Sequence, residues 1–380
     1  MAKKRGQGEG SITKMPNGTF QARIEMGRNE NGNRIRKARY FKLKKEAQEW
    51  LLHIRNDIKN DAYIEPSKMT VAQWLEIWLL EYKKNHIKPK TYLNYHINVE
   101  KHIKPLLGKH FLKDLRGDTV QKFINDLSKE KGLGASVVKN IKTILYSALE
   151  QACENGLIAK NPASHVKLPR HEKPEIEVLT LEEQQRFIGI AQNRYHGEIF
   201  ILILATGLRI GEALALTWND IDFEKNLLRV NKTVCEVRDP DDPNDKWRVI
   251  YGSPKTKSSI RTIPLLPDIA NMLKLAHQKS GESRLGNEFI FKTRTGNTIR
   301  HSSAHRKFKD ILKKADITNM HIHCLRHTFA TRGLEQGIEL KIMQELLGHS
   351  SINMTADLYT HVLPDKKYES ILKLAGTINF

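Results

Sequence analysis

Strict alternation gives way to helical periodicity within the first sixty residues. Phe20, Ala22, Ile24 and Met26 take every second position after the turn signal Pro16-Asn17-Gly18, which predicts a strand with one apolar face. GSITKM ahead of it and RIRKARYFKL beyond a second turn, Arg28 to Asn33, predict two more strands. LKKEAQEWLLHIRNDI then sets Ala47, Trp50, Leu51, Ile54 and Ile58 along one side of a helix. A sheet and a helix of this size must cover each other's apolar faces. Arg23, Arg34, Arg36 and Arg39, in or beside the strands, are therefore expected on the opposite, open face of the sheet.

After Pro66 and Ser67 the period is helical throughout. Val71, Trp74, Leu75, Trp78, Leu79 and Tyr82 follow i, i+3, i+4 spacing, which makes the aromatic stripe core rather than a stacking surface. KPKTYLNYHINVEKHIKPLLG, GDTVQKFINDLSKE and ASVVKNIKTILYSALEQACENG predict further helices, the second capped by Asp118 or Thr119. In the last, Val138, Ile141, Ile144, Leu145 and Leu149 form the apolar side, with Lys139 and Lys142 among the rest. Pro162, Pro169 and Pro174, set among charged residues, mark a linker.

From Leu179 helix and strand mix. LTLEEQQRFIGIAQNR opens with a capping box at Thr180 and Glu183, and IFILILATGLRIGEALAL buries an apolar helix that delivers Arg209 just past a turn at Gly207. NLLRVNKTVCEVR, KWRVIYG and IRTIPL predict strands around the loop DPDDPND, and helices return after Pro267. The expected fold is multidomain: a small three-stranded sheet plus helix over residues 1–63, an all-helical domain over 67–165, a linker at 166–178, and a mixed, mainly α domain with a small antiparallel sheet over 179–380.

Charge narrows the class of partner. The 380 residues hold 63 Lys and Arg against 43 Asp and Glu, a net +20, and the first sixty alone hold 15 against 6. Such a balance calls for a polyanion; double-stranded DNA, a ribosome and a membrane surface all qualify on charge alone. No apolar run is long enough to cross a bilayer, and the basic start MAKKRGQGEG has no apolar segment behind it, so it is not read as a signal peptide. Cys153, Cys235 and Cys324 are too few and too scattered for a disulfide framework or a paired zinc site, which points to a reducing cytoplasm.

The chemistry concentrates between His321 and Tyr359. HIHCLRHTFATRG and LLGHSSINMTADLY place His323, Arg326, His349 and Tyr359 within 39 residues. A guanidinium is a planar, permanently charged fork for two phosphate oxygens; a tyrosine hydroxyl can form an ester with phosphorus; histidines move protons near neutral pH. No row of carboxylates stands by to hold magnesium, so the chemistry implied is metal-free covalent catalysis on a phosphodiester, with no cofactor. His321, His323 and His327 resemble a metal cluster, but the arginine beside them repels a cation. Cys324 reads as a small buried side chain, and Tyr368, in line with Ile371, Leu372 and Leu374, as helix packing.

HCLRH, then LLGHSS, then a tyrosine ten residues past the second histidine resemble the tyrosine recombinase, or phage integrase, family, and ATGLRIGEALALTWNDID resembles that family's first arginine motif. The resemblance implies a catalytic set of Arg209, Lys255, His323, Arg326, His349 and Tyr359, with Lys257 the alternative lysine in PKTKSS. It also implies that the first domain binds accessory arm sites, as in integrases of conjugative transposons and related phages, through Arg23, Arg34, Arg36 and Arg39. The helical domain would bind core sites, with Lys139 and Lys142 as candidates. A homotetramer on paired DNA sites, an excision factor and a host DNA-bending protein are the further partners implied, and a bacterial cytoplasm, at the nucleoid, the place. Two other classes remain open. A type IB topoisomerase-like enzyme shares the nicking chemistry, and a non-catalytic DNA-binding protein shares the fold; the arm-type domain weighs against the first and the filled catalytic positions against the second.

Overall fold

The computed structural model describes residues 10–28, 34–59, 69–129, 131–169, 176–242, 246–252, 257–279 and 288–359. It divides into two compact units, Met1–His171 and Glu172–Phe380. Among the described residues no helix is long and apolar enough to cross a membrane.

The first unit begins with three antiparallel strands, β1 (Ser11–Lys14), β2 (Phe20–Arg28) and β3 (Arg34–Phe41), in spatial order β1-β2-β3, followed by α1 (Lys44–Lys59). Ala22 and Ile24 from the sheet and Ala47 and Leu51 from the helix are buried together, with Phe20, Phe41 and Trp50 closing around them. The side chains of Met26, Ile54 and Ile58 lie outside the described residues. Register corrects one expectation. Arg23 pairs with Ala38 and Arg36 with Glu25, on the open face, but Arg39 pairs directly with Ala22 and so belongs to the helix-facing side. It stays exposed because β3 is an edge strand, and its guanidinium lies 5.5 Å from the centre of the Phe41 ring.

Helices make up the rest of this unit: α2 (Val71–Ile77), α3 (Pro89–Asn98), α4 (Lys104–Leu107), α5 (Gly117–Lys129) and α6 (Ala135–Glu154). Thr70 and Gln73 form a capping box that starts α2. Trp74, Trp78 and the apolar side of α6 are buried, each large side chain contributing roughly 2–3 kcal/mol. The Trp74 indole N–H donates to the Ala148 carbonyl at 2.7 Å, so the aromatic stripe is core, as its spacing required. Two features differ from the sequence reading. α2 and α3 each run on into a π-helical turn, Trp78–Lys83 and Val99–Ile103, which the i, i+3, i+4 spacing does not signal. α5 opens at Gly117, which places Asp118 and Thr119 inside its first turn rather than at the cap.

The second unit runs α7 (Leu181–Gln192), α8 (Glu198–Thr206), α9 (Ile210–Ala213), β4 (Ile221–Asp222), β5 (Leu227–Val230), β6 (Thr233–Val237), β7 (Arg248–Gly252), β8 (Arg261–Pro264), α10 (Pro267–Lys279), α11 (His301–Lys314), α12 (Ile322–Glu335), α13 (Leu340–Leu347) and α14 (Asn353–Tyr359). Apolar on nearly every side, α8 can only be interior, and the Phe200 ring sits 5.3 Å from that of Phe308 on α11. The expected small sheet is present in two pieces, a three-stranded antiparallel β4-β5-β8 and a β6-β7 hairpin. The capping box at Thr180 and Glu183 is formed. The segment containing Tyr368 lies outside the described residues.

Candidate active site

The site is assembled where α8 stops. Gly207 ends that helix in the left-handed conformation, φ 65°, and a Cβ there would come within 2.5 Å of the Phe329 ring, so both backbone and space require glycine. The helix end thereby turns its Gly207 carbonyl toward α12, where it accepts a hydrogen bond from Arg326 Nη1 at 2.6 Å. Arg326 Nη2 donates to the Leu347 carbonyl, at the end of α13, at 2.8 Å. With 1% of its surface exposed, Arg326 is a buried guanidinium fixed by two helix C-termini, whose carbonyls carry the negative ends of the helix dipoles. Burial first, then the positive neighbours Arg209 and Arg261, press its pKa down to about 9, opposed by Glu212; it remains charged at neutral pH.

Arg209 caps α9 and is anchored from the opposite side. Its backbone N–H donates to Glu212 Oε2 at 3.0 Å, its Nη1 to Glu212 Oε1 at 2.8 Å, and its Nη2 reaches the Gly348 carbonyl at 3.4 Å. Its side chain keeps 35% exposure, so the guanidinium is held yet reachable. Glu212 is itself buried and bonds a third arginine, Arg261 at the start of β8, whose Nη2 donates to Oε2 at 2.9 Å. Arg261 also donates to the Leu346 carbonyl at 2.6 Å and the Ser259 carbonyl at 3.1 Å. Burial pushes the Glu212 carboxyl up, but Arg261 and then Arg209 outweigh it, and the net shift is downward. Three guanidiniums thus gather around one ionised carboxylate, leaving an excess of positive charge suited to an anion.

His349 and His323 are kept neutral. His349, just past the left-handed Gly348, is 7% exposed, and its Nδ1 lies 2.9 Å from the Thr355 hydroxyl on α14. Loss of water, then Arg326, Arg209, His323 and Arg261, lowers its pKa to about 3. His323, on the first turn of α12, is lowered to about 4 by desolvation, His327, Arg326, His321 and Arg209 in that order; its ring stands edge-on to His327 at 4.6 Å. His321 caps α12, accepting from the Cys324 backbone N–H, and Cys324 is buried as expected.

Of the residues expected from sequence, Arg209, His323, Arg326 and His349 therefore face one another. The main chain of Tyr359 ends α14, and its side chain lies outside the described residues, as do Lys255 and the side chain of Lys257. Arg23, Arg36 and Lys139 are exposed in the first unit, while the side chain of Arg34 lies outside the described residues. Lys142 is half-buried and donates to the Val166 carbonyl at 2.6 Å, which holds that ammonium against its own unit. Sequence reading missed Glu212 and Arg261. Glu212 sits three residues after Arg209, a helical neighbour spacing that was available as a signal; Arg261 is a polar position in a short strand and gave none.

Residues 177–366 match the phage integrase family, 70–128 the phage integrase N-terminal SAM-like domain, and 11–58 an arm DNA-binding domain. The chain is 33% identical over 371 residues to a tyrosine recombinase XerC-like protein of Caldanaerobacter subterraneus subsp. tengcongensis, spanning 93% of this chain and 94% of that one. It is 28% identical over 379 residues to the ICEBs1 integrase of Bacillus subtilis, with 96% and 99% covered. In fold it is similar to the Tn1549 transposon integrase solved in complex with transposon right end DNA, with TM-score 0.68, 24% identity, and 81% of this chain and 100% of that one covered.

Proposed function

The chain belongs to the phage integrase family and is a tyrosine recombinase, a site-specific enzyme that cleaves and rejoins DNA, and from that premise we propose that it is the integrase of a mobile element and assign its catalytic residues. Tyr359 attacks the scissile phosphate in line, forming a 3′-phosphotyrosyl ester and freeing a 5′ hydroxyl. The ester keeps the energy of the broken bond, so a second 5′ hydroxyl reverses the attack and reseals the strand without ATP. Arg209 and Arg326 neutralise the nonbridging oxygens as charge accumulates on them. Lys255 protonates the leaving 5′ oxygen, with Lys257 the alternative. His323, neutral at physiological pH, takes up the tyrosine proton or holds the phosphate, and His349 completes the hydrogen-bond shell.

The observation that carries this reading is the pair of guanidiniums fixed before any substrate arrives, Arg326 by two backbone carbonyls and Arg209 by Glu212. Preorganised charge of this kind lowers a barrier because it needs no rearrangement as the transition state forms. The wider assignment follows the family. Domains at 1–63, 67–165 and 179–380, the last two joined through 166–178, bind arm sites, bind core sites and cleave; the first uses Arg23, Arg34 and Arg36 with Arg39 contributing less, and the second Lys139 with Lys142 contributing less. Four protomers assemble on paired sites, assisted by an excision factor and a host DNA-bending protein, at the nucleoid of a bacterial cytoplasm.

The test is a nicked suicide duplex carrying the element's core site, incubated in EDTA with the natural chain or Tyr359→Phe and run on a denaturing gel. A covalent protein–DNA band that disappears with Tyr359→Phe is expected. Tight binding without a band would favour the non-catalytic reading, and a band that persists in the variant would move the nucleophile elsewhere.

A further inference from the structure

His349 is held at both ends. Its backbone N–H donates to the Gln344 carbonyl at 3.1 Å, and its own carbonyl accepts from Gln344 Nε2 at the same distance, which fixes the residue to α13. Its ring is fixed to another element, α14, by the Thr355 hydroxyl, 2.9 Å from Nδ1. Thr355 is fully buried, so its hydroxyl has no water to turn to. Among the described residues Nε2 has no hydrogen-bond partner. Thr355 lies one helical turn before Tyr359, in the i, i+4 relation that places two residues on the same face of α14.

A neutral imidazole has one N–H, on one nitrogen or the other. If that proton sits on Nδ1, Nε2 presents a lone pair, which repels a phosphate oxygen. If it sits on Nε2, the ring donates to that oxygen. A hydroxyl facing Nδ1 and donating to it selects the second form.

We propose that Thr355 is a positioning residue: its hydroxyl holds His349 in the Nε2–H tautomer, turned to donate to the scissile phosphate, and ties that ring to the helix that carries Tyr359. The inference rests on the recombinase reading for its consequence in catalysis, but the tautomer itself is a property of the free protein. Thr355→Val keeps the shape of the side chain and removes the hydroxyl; Thr355→Ser keeps the hydroxyl and removes a methyl. Neither Thr355 variant changes a charge.

Two measurements on the full chain decide it. In the histidine-labelled protein, with the His349 signals assigned by their loss in His349→Ala, nitrogen NMR is expected to show Nε2–H for the natural chain and Thr355→Ser, and a mixture for Thr355→Val. In single-turnover cleavage of the suicide duplex, Thr355→Val is expected to slow adduct formation about 10- to 30-fold with duplex affinity within about 2-fold, and Thr355→Ser to recover most of the rate. In a His349→Ala background Thr355→Val should add less than about 2-fold, because both changes remove one unit. An Nδ1–H tautomer in the natural chain, an unchanged tautomer in Thr355→Val, or rate losses that add independently of His349 would overturn the proposal. Absence of any adduct from the natural chain would instead count against the recombinase reading, with the tautomer still measured.

Discussion

The two arginine-rich regions of this chain carry similar charge in opposite ways. On the amino-terminal sheet, Arg23 and Arg36 stand exposed, and the Arg36 partner, Glu25, is 3.8 Å away in a contact open to water. In the catalytic unit Arg326 and Arg261 are buried, and Arg209 is gripped by a buried carboxylate. Exposed cations are cheap to keep and free to move, so they supply affinity that salt screens away. Buried ones need a carbonyl or carboxylate for each N–H, and in return they are already aimed when substrate arrives. On the proposed reading the same residue type serves attraction in one place and reaction in the other.

That contrast can be broken from the arm side first. Replacing both Arg23 and Arg36 by Ala should weaken binding to a random-sequence duplex by roughly 10- to 30-fold at low salt. It should also flatten the plot of log Kd against log salt by about one unit for each phosphate no longer neutralised, leaving the cleavage rate at saturating DNA unchanged. An unchanged salt slope would remove the sheet from the DNA-binding surface. Arg39, on the helix-facing side by register, is expected to contribute less than either.

A smaller effect should come from acid. His323 and His327 are lowered to about 4 and His349 to about 3, below the value of about 6.5 expected in the unfolded chain. The unfolded state then binds more protons than the folded one between these values, so stability is complete above pH 6.5 and falls as pH drops toward 4. A fall in Tm of a few degrees between pH 7 and pH 5 is expected, partly reversed by a bound duplex whose phosphate relieves the crowding of positive charge. Site histidines found to titrate near 6.5 by NMR would contradict this.

Arg209, His323, Arg326 and His349 were legible because short motifs around them state residue type and spacing together, and Gly207 announced its turn. Arg261 and Thr355 were not, and Glu212 only as the i+3 neighbour of Arg209, because their remaining contacts are made across the fold. The Glu212–Arg261 bond spans 49 positions, and nothing local marks which arginine a carboxylate will meet. Thr355 reads in sequence as one small polar residue in an amphipathic helix. The core was easier where a period was clear: alternation and helical spacing picked Ala22, Ile24, Ala47 and Leu51, then Val71, Trp74, Leu75, Trp78 and Leu79, then Val138, Ile141, Ile144, Leu145 and Leu149, all of them buried, since burial depends on periodicity and not on partner identity. The misplaced arginine was legible after all. Arg36 and Arg39 are three residues apart in one strand, and a period of two cannot put both on one face.

If fixed guanidiniums serve the reaction rather than the grip, Arg326→Lys shows it most directly. Lysine keeps the charge but cannot reach the Gly207 and Leu347 carbonyls and a phosphate together. Measured in one preparation, the single-turnover rate of adduct formation is expected to fall by at least about 100-fold while duplex Kd stays within about 3-fold. A rate and an affinity that fall together would show that Arg326 acts by attraction, as the sheet arginines do, and the account of the site would fail.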